Sequence, residues 1–164
     1  MDLVFIGTII DTHGIKGEIK IRSDFEYKNL VFKPGVEIYI DKNPHKIVTY
    51  RYHKVYDMVT LEGYNNINDV IPFKKKKVYV DRSILNLDKE DYLLNDLIGC
   101  HIFIDNKELG EVKDYTTGVN PLLIVSINNK EKFIPNNKDF IKNVDITNKK
   151  IELNDIASGV LKWK

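Results

Sequence analysis

The most constraining feature of this chain is that its apolar residues recur at the period of a β-strand, and no window sustains the period of a helix. Glu18-Ile19-Lys20-Ile21-Arg22 alternates polar with apolar, which places Ile19 and Ile21 on one face. Val36-Glu37-Ile38-Tyr39-Ile40 repeats the alternation after the turn signal Pro34-Gly35. Val4-Phe5-Ile6-Gly7-Thr8-Ile9-Ile10 is β-branched and nearly continuous, as in a strand buried on both faces. Further strands are predicted at 46–52, 58–62 and 77–81, with one short helical turn opened by Asn68 as its cap. In the second half they are predicted at 100–104, 109–116, 122–127, 131–134 and 149–153. Asp105-Asn106-Lys107 and Asn128-Asn129-Lys130 supply the turns, because Asn and Asp tolerate the left-handed region.

The expected fold class is therefore all-β with minor helix. Short strands at close spacing favour barrels, since closure removes exposed sheet edges. Ser83 to Asp91 ends in an acidic run and reads as a linker, dividing the chain into 1–82, a linker 83–91, and 92–164. Halves of about 75–80 residues are small but able to fold alone. A hydrophobic content of 43% supplies the cores.

Composition also narrows function. Lys and Arg total 25 against 24 Asp and Glu, a net charge of +1. A protein holding RNA mainly by phosphate neutralisation needs a clear cationic excess, so RNA contact here is expected to be local or mediated by a protein. No run approaches the roughly 18 apolar residues of a membrane span. Met1-Asp2-Leu3-Val4 leads straight into strand-like sequence without a secretory leader, and a single cysteine, Cys100, excludes an internal disulfide framework. The cytoplasm is the expected compartment.

Four features invite a functional reading. Thr12-His13-Gly14-Ile15-Lys16-Gly17-Glu18 is a loop between strands. His13 and Glu18 could serve as an acid–base pair, or Gly14 and Gly17 as a phosphate cradle. No helix follows to supply the dipole that phosphate loops use, which favours a structural or partner-contact loop. Lys74, Lys75, Lys76 and Lys77 form a basic run. Four phosphate contacts would give a salt slope near about −3.6, a modest attraction, and lysines on a strand edge equally serve to discourage aggregation. Tyr92, Leu93 and Leu94 make an apolar cluster beside the acidic linker, suited either to intramolecular docking or to a partner. His45, His53, His101 and Cys100 show no ligand spacing, so no metal is expected, and no Gly-x-Ser-x-Gly elbow is present. No cofactor is expected either.

The Thr-His-Gly-Ile-Lys-Gly-Glu loop resembles the N-terminal signature of the RimM family. His53-Lys54, Leu61-Glu62-Gly63, Asn68-Asp69 and Val78-Tyr79-Val80 continue the likeness in order. Tyr92 to Cys100 is similar to that family's double-tyrosine junction. Leu109-Gly110-Glu111-Val112, Thr117-Gly118-Val119-Asn120, Phe133-Ile134-Pro135 and Val144-Asp145-Ile146 resemble its PRC-barrel half. The resemblance implies a six-stranded barrel of the translation-factor type followed by a PRC barrel. It further implies transient binding to the head of the immature small ribosomal subunit, largely through the nineteenth protein of the small-subunit series. Assistance to assembly and 16S rRNA processing follows from it, and no chemical step. Of the tyrosine pair only Tyr92 carries over as a contact candidate, and Leu93, Leu94, His13, Gly14, Gly17, Thr117, Gly118 and Asn120 are the further candidate partner-binding residues. The chain departs from the pattern at two places. Leu93 stands where the family has a second tyrosine, and Pro121 closes the Gly-x-Asn-Asp turn, removing a donor and restricting Asn120 to extended geometry. The alternative is a direct RNA-binding module using Lys74 to Lys77 and nearby tyrosines.

Overall fold

A computed structural model describes residues 1–88 and 91–162. The described chain forms two compact units, Met1–Asn86 and Leu87–Lys164, each with its own sheet. The division falls inside the stretch 83–91 expected as a linker. Residues 82–85 form a 3₁₀ turn with Leu85 buried, and Lys89 and Glu90 lie outside the described residues.

The first unit contains strands β1 (Leu3–His13), β2 (Glu18–Arg22), β3 (Glu37–Ile40), β4 (Asn43–His53), β5 (Tyr56–Leu61) and β6 (Lys77–Asp81). They close into a barrel in the order β1-β2-β5-β4-β3-β6. Alternation explains the closure. Ile19 and Ile21 from β2, Ile38 and Ile40 from β3, and Val78 and Val80 from β6 are all essentially inaccessible to solvent. Bulges in β1 accommodate its near-continuous apolar run: the register shifts between Phe5 and Gly7 against β6, and between Ile9 and Asp11 against β2.

Two short helices, α1 (Lys28–Val31) and α2 (Ile67–Val70), complete this unit. The helical turn expected near Asn68 is present as α2, but its cap is Asn66, whose side chain accepts from the Asp69 amide at 3.3 Å. Asn66 has extended backbone geometry (φ −144°), as an N-cap requires, whereas Asn68 lies inside the helix. A ring cluster joins α2's flanks to β4: His45 lies edge-on to Tyr64 and to Phe73, each at 5.2 Å. Desolvation holds the His45 imidazole below its ordinary value of 6.5. A depressed histidine contributes stability that is present above the unfolded pKa and lost as pH falls through and below it. The first unit is therefore expected to lose stability between about pH 7 and pH 5, and His45→Phe to flatten that part of a stability–pH curve measured by denaturant titration.

The second unit carries β7 (His101–Ile104), β8 (Lys107–Tyr115), β9 (Leu122–Ile127), β10 (Lys130–Pro135), β11 (Ile141–Asp145) and β12 (Lys150–Leu153), in the order β10-β9-β8-β7-β12-β11. The β7–β12 pair is parallel and the others antiparallel. Its core gathers Leu97, Cys100, Ile102, Val112, Leu123, Val125, Ile134, Ile151, Leu153 and Ala157. Unlike the first sheet, this one is not closed by pairing between β10 and β11 among the described residues. A C-terminal helix, α3 (Ala157–Lys162), lies against β10, with Ala157 buried in the core. Strand β11 is missing from the sequence-based expectation because its apolar pattern is broken. Only Ile141 and Val144 are apolar, and a bulge between Ile141 and Asn143 spoils the two-residue period. Among the described residues, no helix is long and apolar enough to cross a membrane.

Candidate functional site

On the first barrel, the loop beginning at Thr12 is shorter than its sequence suggests. His13 is the last residue of β1 and pairs across the hairpin with Glu18, the first of β2, leaving 14–17 as the turn. The turn is docked on the segment leading into α2: the Ile67 amide donates to the Ile15 carbonyl at 3.0 Å. Gly17 makes the docking possible, since a Cβ there would lie 2.4 Å from the Tyr64 carbonyl oxygen, and its φ is +88°. Gly14, by contrast, faces open space.

Glu18 does not form an acid–base pair with His13. Its two carboxylate oxygens accept from Arg51 Nε at 2.9 Å and Nη2 at 2.8 Å, a bidentate pair that lowers its pKa against the opposing effect of burial. His13 instead neighbours His53, with ring centroids 5.9 Å apart. Burial, then the charges of Arg51 and Lys54, hold His53 below its ordinary value. A carboxylate fully engaged by a guanidinium is a poor proton acceptor. Ile15 projects from the hairpin, 77% exposed, and Val55, in the turn between β4 and β5, is 68% exposed.

The lysine run does not lie on an exposed sheet edge, as expected from sequence, because β6 pairs with both β1 and β3 in the closed barrel. Nor is it a uniform cationic patch. Lys74 lies 3.2 Å from the Asp11 carboxylate, Lys76 is paired with Asp41, and Lys77 sits over the Phe5 ring at 5.9 Å. Lys75 adopts a left-handed backbone, donating its amide to Ile9 at 2.7 Å.

In the second unit, the Tyr92–Leu94 junction separates into different roles. Tyr92 and Leu94 are partly buried and pack on the core, and burial raises the Tyr92 phenol's pKa. Leu93 is only 3% exposed. The segment is held by Asp96, whose side chain accepts from the Leu93 amide at 2.9 Å as a 3₁₀ turn begins at Leu94. Cys100 follows in the core, where burial raises the pKa of its thiol.

The loop at Thr117, Gly118 and Asn120 is pinched at its base. The Thr116 amide donates to the Leu122 carbonyl at 2.8 Å, and the Leu122 amide to Thr116 Oγ1 at 2.9 Å. Residues 116–120 are exposed, Val119 by 96%, and Gly118 has φ +106°. The closing donor is Leu122, and Pro121 contributes its carbonyl, to the Asn136 amide at 2.9 Å. Among the described residues, no group of three or more His, Cys, Asp or Glu is placed to hold a metal.

The sequence matches the RimM N-terminal domain over residues 4–85 and the RimM PRC barrel domain over residues 94–156. It is 37% identical over 158 residues to the ribosome maturation factor RimM of Staphylococcus epidermidis, covering 92% of this chain and 94% of that protein. The corresponding protein of Staphylococcus aureus is 36% identical over 156 residues, with 90% and 93% covered. The N-terminal domain of RimM from Thermus thermophilus superposes with a TM-score of 0.47 at 18% identity, covering 53% of this chain and 98% of that domain. Two family domains in the right order, together spanning most of the chain, decide the matter: this chain belongs to the RimM family of ribosome maturation factors, which are assembly factors and not enzymes.

Proposed function

We propose that this protein acts in the cytoplasm, binding the head of the immature small ribosomal subunit transiently through the nineteenth protein of the small-subunit series. In doing so it assists head folding and 16S rRNA processing. A factor that binds one folding state of the head more tightly than the other shifts the population toward that state, by its differential affinity and without chemistry. The observation that carries this reading is the second unit's presentation of a half-buried tyrosine, Tyr92, together with a pinched, exposed loop at 116–120. Tyrosine combines a large rigid body with a polar tip, and an anchor already partly ordered by its own core loses little entropy on docking. The His13–Gly17 hairpin offers a second, separate contact surface on the first barrel. Within the lysine run Lys74 and Lys76 are paired with carboxylates of the fold, which favours protein-mediated over phosphate-mediated holding.

The test is co-sedimentation of the full chain with immature small subunits, paired with pulldown of the isolated head protein. Tyr92→Ala is expected to weaken both by about 2 kcal/mol, roughly 30-fold. Because Tyr92 also packs on the core, Val119→Glu serves as a companion that leaves packing untouched; it is expected to weaken binding with an unchanged melting curve. Normal binding by both variants would exclude this face of the second unit as the contact.

A further inference from the structure

One surface of the first barrel is not used by the proposed docking. On β6, Val78 and Val80 point into the core, so Tyr79 points outward. Its cross-strand partners are Phe5 on β1 and Tyr39 on β3, which places three aromatic residues in a row across adjacent strands. Tyr39 is almost covered, but Phe5 is 49% exposed and meets Tyr79 edge-to-face at 5.8 Å. Beside the row lies an open hollow of about 530 Å³ lined by Leu3, Asp41, Lys42, Lys76, Lys77 and Tyr79.

The charges around this hollow are unequally committed. Asp41 is paired with Lys76, and the Asp81 carboxylate accepts from the Ser83 amide at 3.1 Å. Lys42 is exposed in the β3–β4 turn, with a left-handed backbone that projects it from the barrel. Lys77 rests over Phe5 at 5.9 Å, the outer limit of a cation–π contact, and is readily displaced. An exposed ring flanked by available cations on a closed barrel, with no free strand edge for a peptide to extend, fits a ligand that offers flat faces on an anionic backbone.

We infer that the Phe5–Tyr79 face is a seat for an unpaired RNA segment, with one base stacked on Phe5 and adjacent phosphates at Lys42 and Lys77. The inference rests on the proposed function only for which RNA is met, namely unpaired rRNA of the immature subunit. It also relocates the RNA contact that the alternative reading placed at Lys74 to Lys77. Of that run only Lys77 takes part directly, and the stacking partner is Phe5 with Tyr79 as its wall.

The experiment is fluorescence anisotropy of the full chain with a labelled, unstructured RNA 12-mer and with a duplex of the same length, from 50 to 200 mM salt. The single strand is expected to bind more tightly than the duplex. Phe5→Ala, and Phe5→Leu, which keeps apolar bulk without a π face, are expected to lose about 10-fold in affinity. Lys42→Gln/Lys77→Gln is expected to reduce the salt slope by about 1.4, from about 0.7 per phosphate on single strands. Phe5→Trp in a Trp163→Phe background is expected to be quenched on binding. Tyr92→Ala is expected to bind the RNA normally, which separates this seat from the docking surface of the second unit. Undiminished RNA affinity in Phe5→Leu, equal binding of duplex, or loss of head-protein binding in Phe5→Leu with RNA affinity retained would each overturn the inference.

Discussion

Gly17→Ala is expected to destabilise the first barrel by about 2–4 kcal/mol, far more than a substitution in a surface turn ordinarily costs. Two penalties coincide at this residue. Its φ of +88° is strained for any side chain, and the new Cβ would meet the Tyr64 carbonyl oxygen at 2.4 Å and the Asn66 amide nitrogen at 3.2 Å. Both are backbone atoms, so neither can rotate aside. Relief requires the turn to lift off the 64–67 segment, breaking the bond from the Ile67 amide to the Ile15 carbonyl. Asn66 caps α2, so the disturbance propagates into that helix. Urea unfolding followed by a probe in the first unit measures the total, and amide exchange at Ile67 reports whether the turn has lifted. Gly14→Ala is the control: its φ is +69° but nothing lies within 4 Å, so only the backbone penalty of about 1 kcal/mol is expected. Equal stabilities for the two variants would show that the close approach to Tyr64 does not constrain the hairpin.

The same residue shows what the sequence could and could not reveal. That Gly17 is needed was legible from two glycines in a tight hairpin; why it is needed was not, because Tyr64 is 47 positions away and nothing local marks it as the neighbour. The strands themselves were legible wherever one face is buried and the other wet, as in β2 and β3. β11 was lost because its alternation is interrupted, and α3 because six residues are too few to display a helical period. At the candidate sites the sequence identified segments and not orientations. Tyr92 and Leu93 are adjacent and similarly apolar, yet one is partly exposed and the other is 3% exposed, a difference set by packing alone. The partners of the hairpin and the lysines, Arg51 for Glu18, Asp11 for Lys74 and Asp41 for Lys76, come from other strands and have no sequence signature. The Phe5–Tyr79 pair was equally hidden, since Phe5 sits in a run that reads as wholly buried.

Lys28→Met is expected to be more costly still, about 3–5 kcal/mol, as for breaking a buried ion pair by removing one partner. Its ammonium lies 2.8 Å from Oδ2 of Asp57, an ion pair whose carboxylate is wholly buried while the lysine remains 31% exposed. Oδ1 of the same carboxylate accepts from the Tyr50 hydroxyl at 2.7 Å, and burial with this bond raises the Tyr50 pKa. The Lys28 contact to Oδ2 is not aligned as a hydrogen bond, so charge neutralisation is its main contribution. Removing the ammonium leaves a buried carboxylate with a single neutral donor. Removing the carboxylate leaves Lys28 free to turn into water, and only the Tyr50 hydroxyl unsatisfied, so Asp57→Leu alone is expected to cost about 1–3 kcal/mol from that orphaned group. Combining Lys28→Met and Asp57→Leu with Tyr50→Phe removes every polar member while retaining the ring stacked on Phe32 at 6.3 Å. That triple variant is expected to return to within about 1 kcal/mol of the parent, because a buried ion pair replaced by apolar groups of similar volume is often neutral. Equilibrium denaturation of the four proteins completes the test. A triple variant as unstable as Lys28→Met would mean that the cost lies in lost packing around the lysine stem and not in the stranded charge.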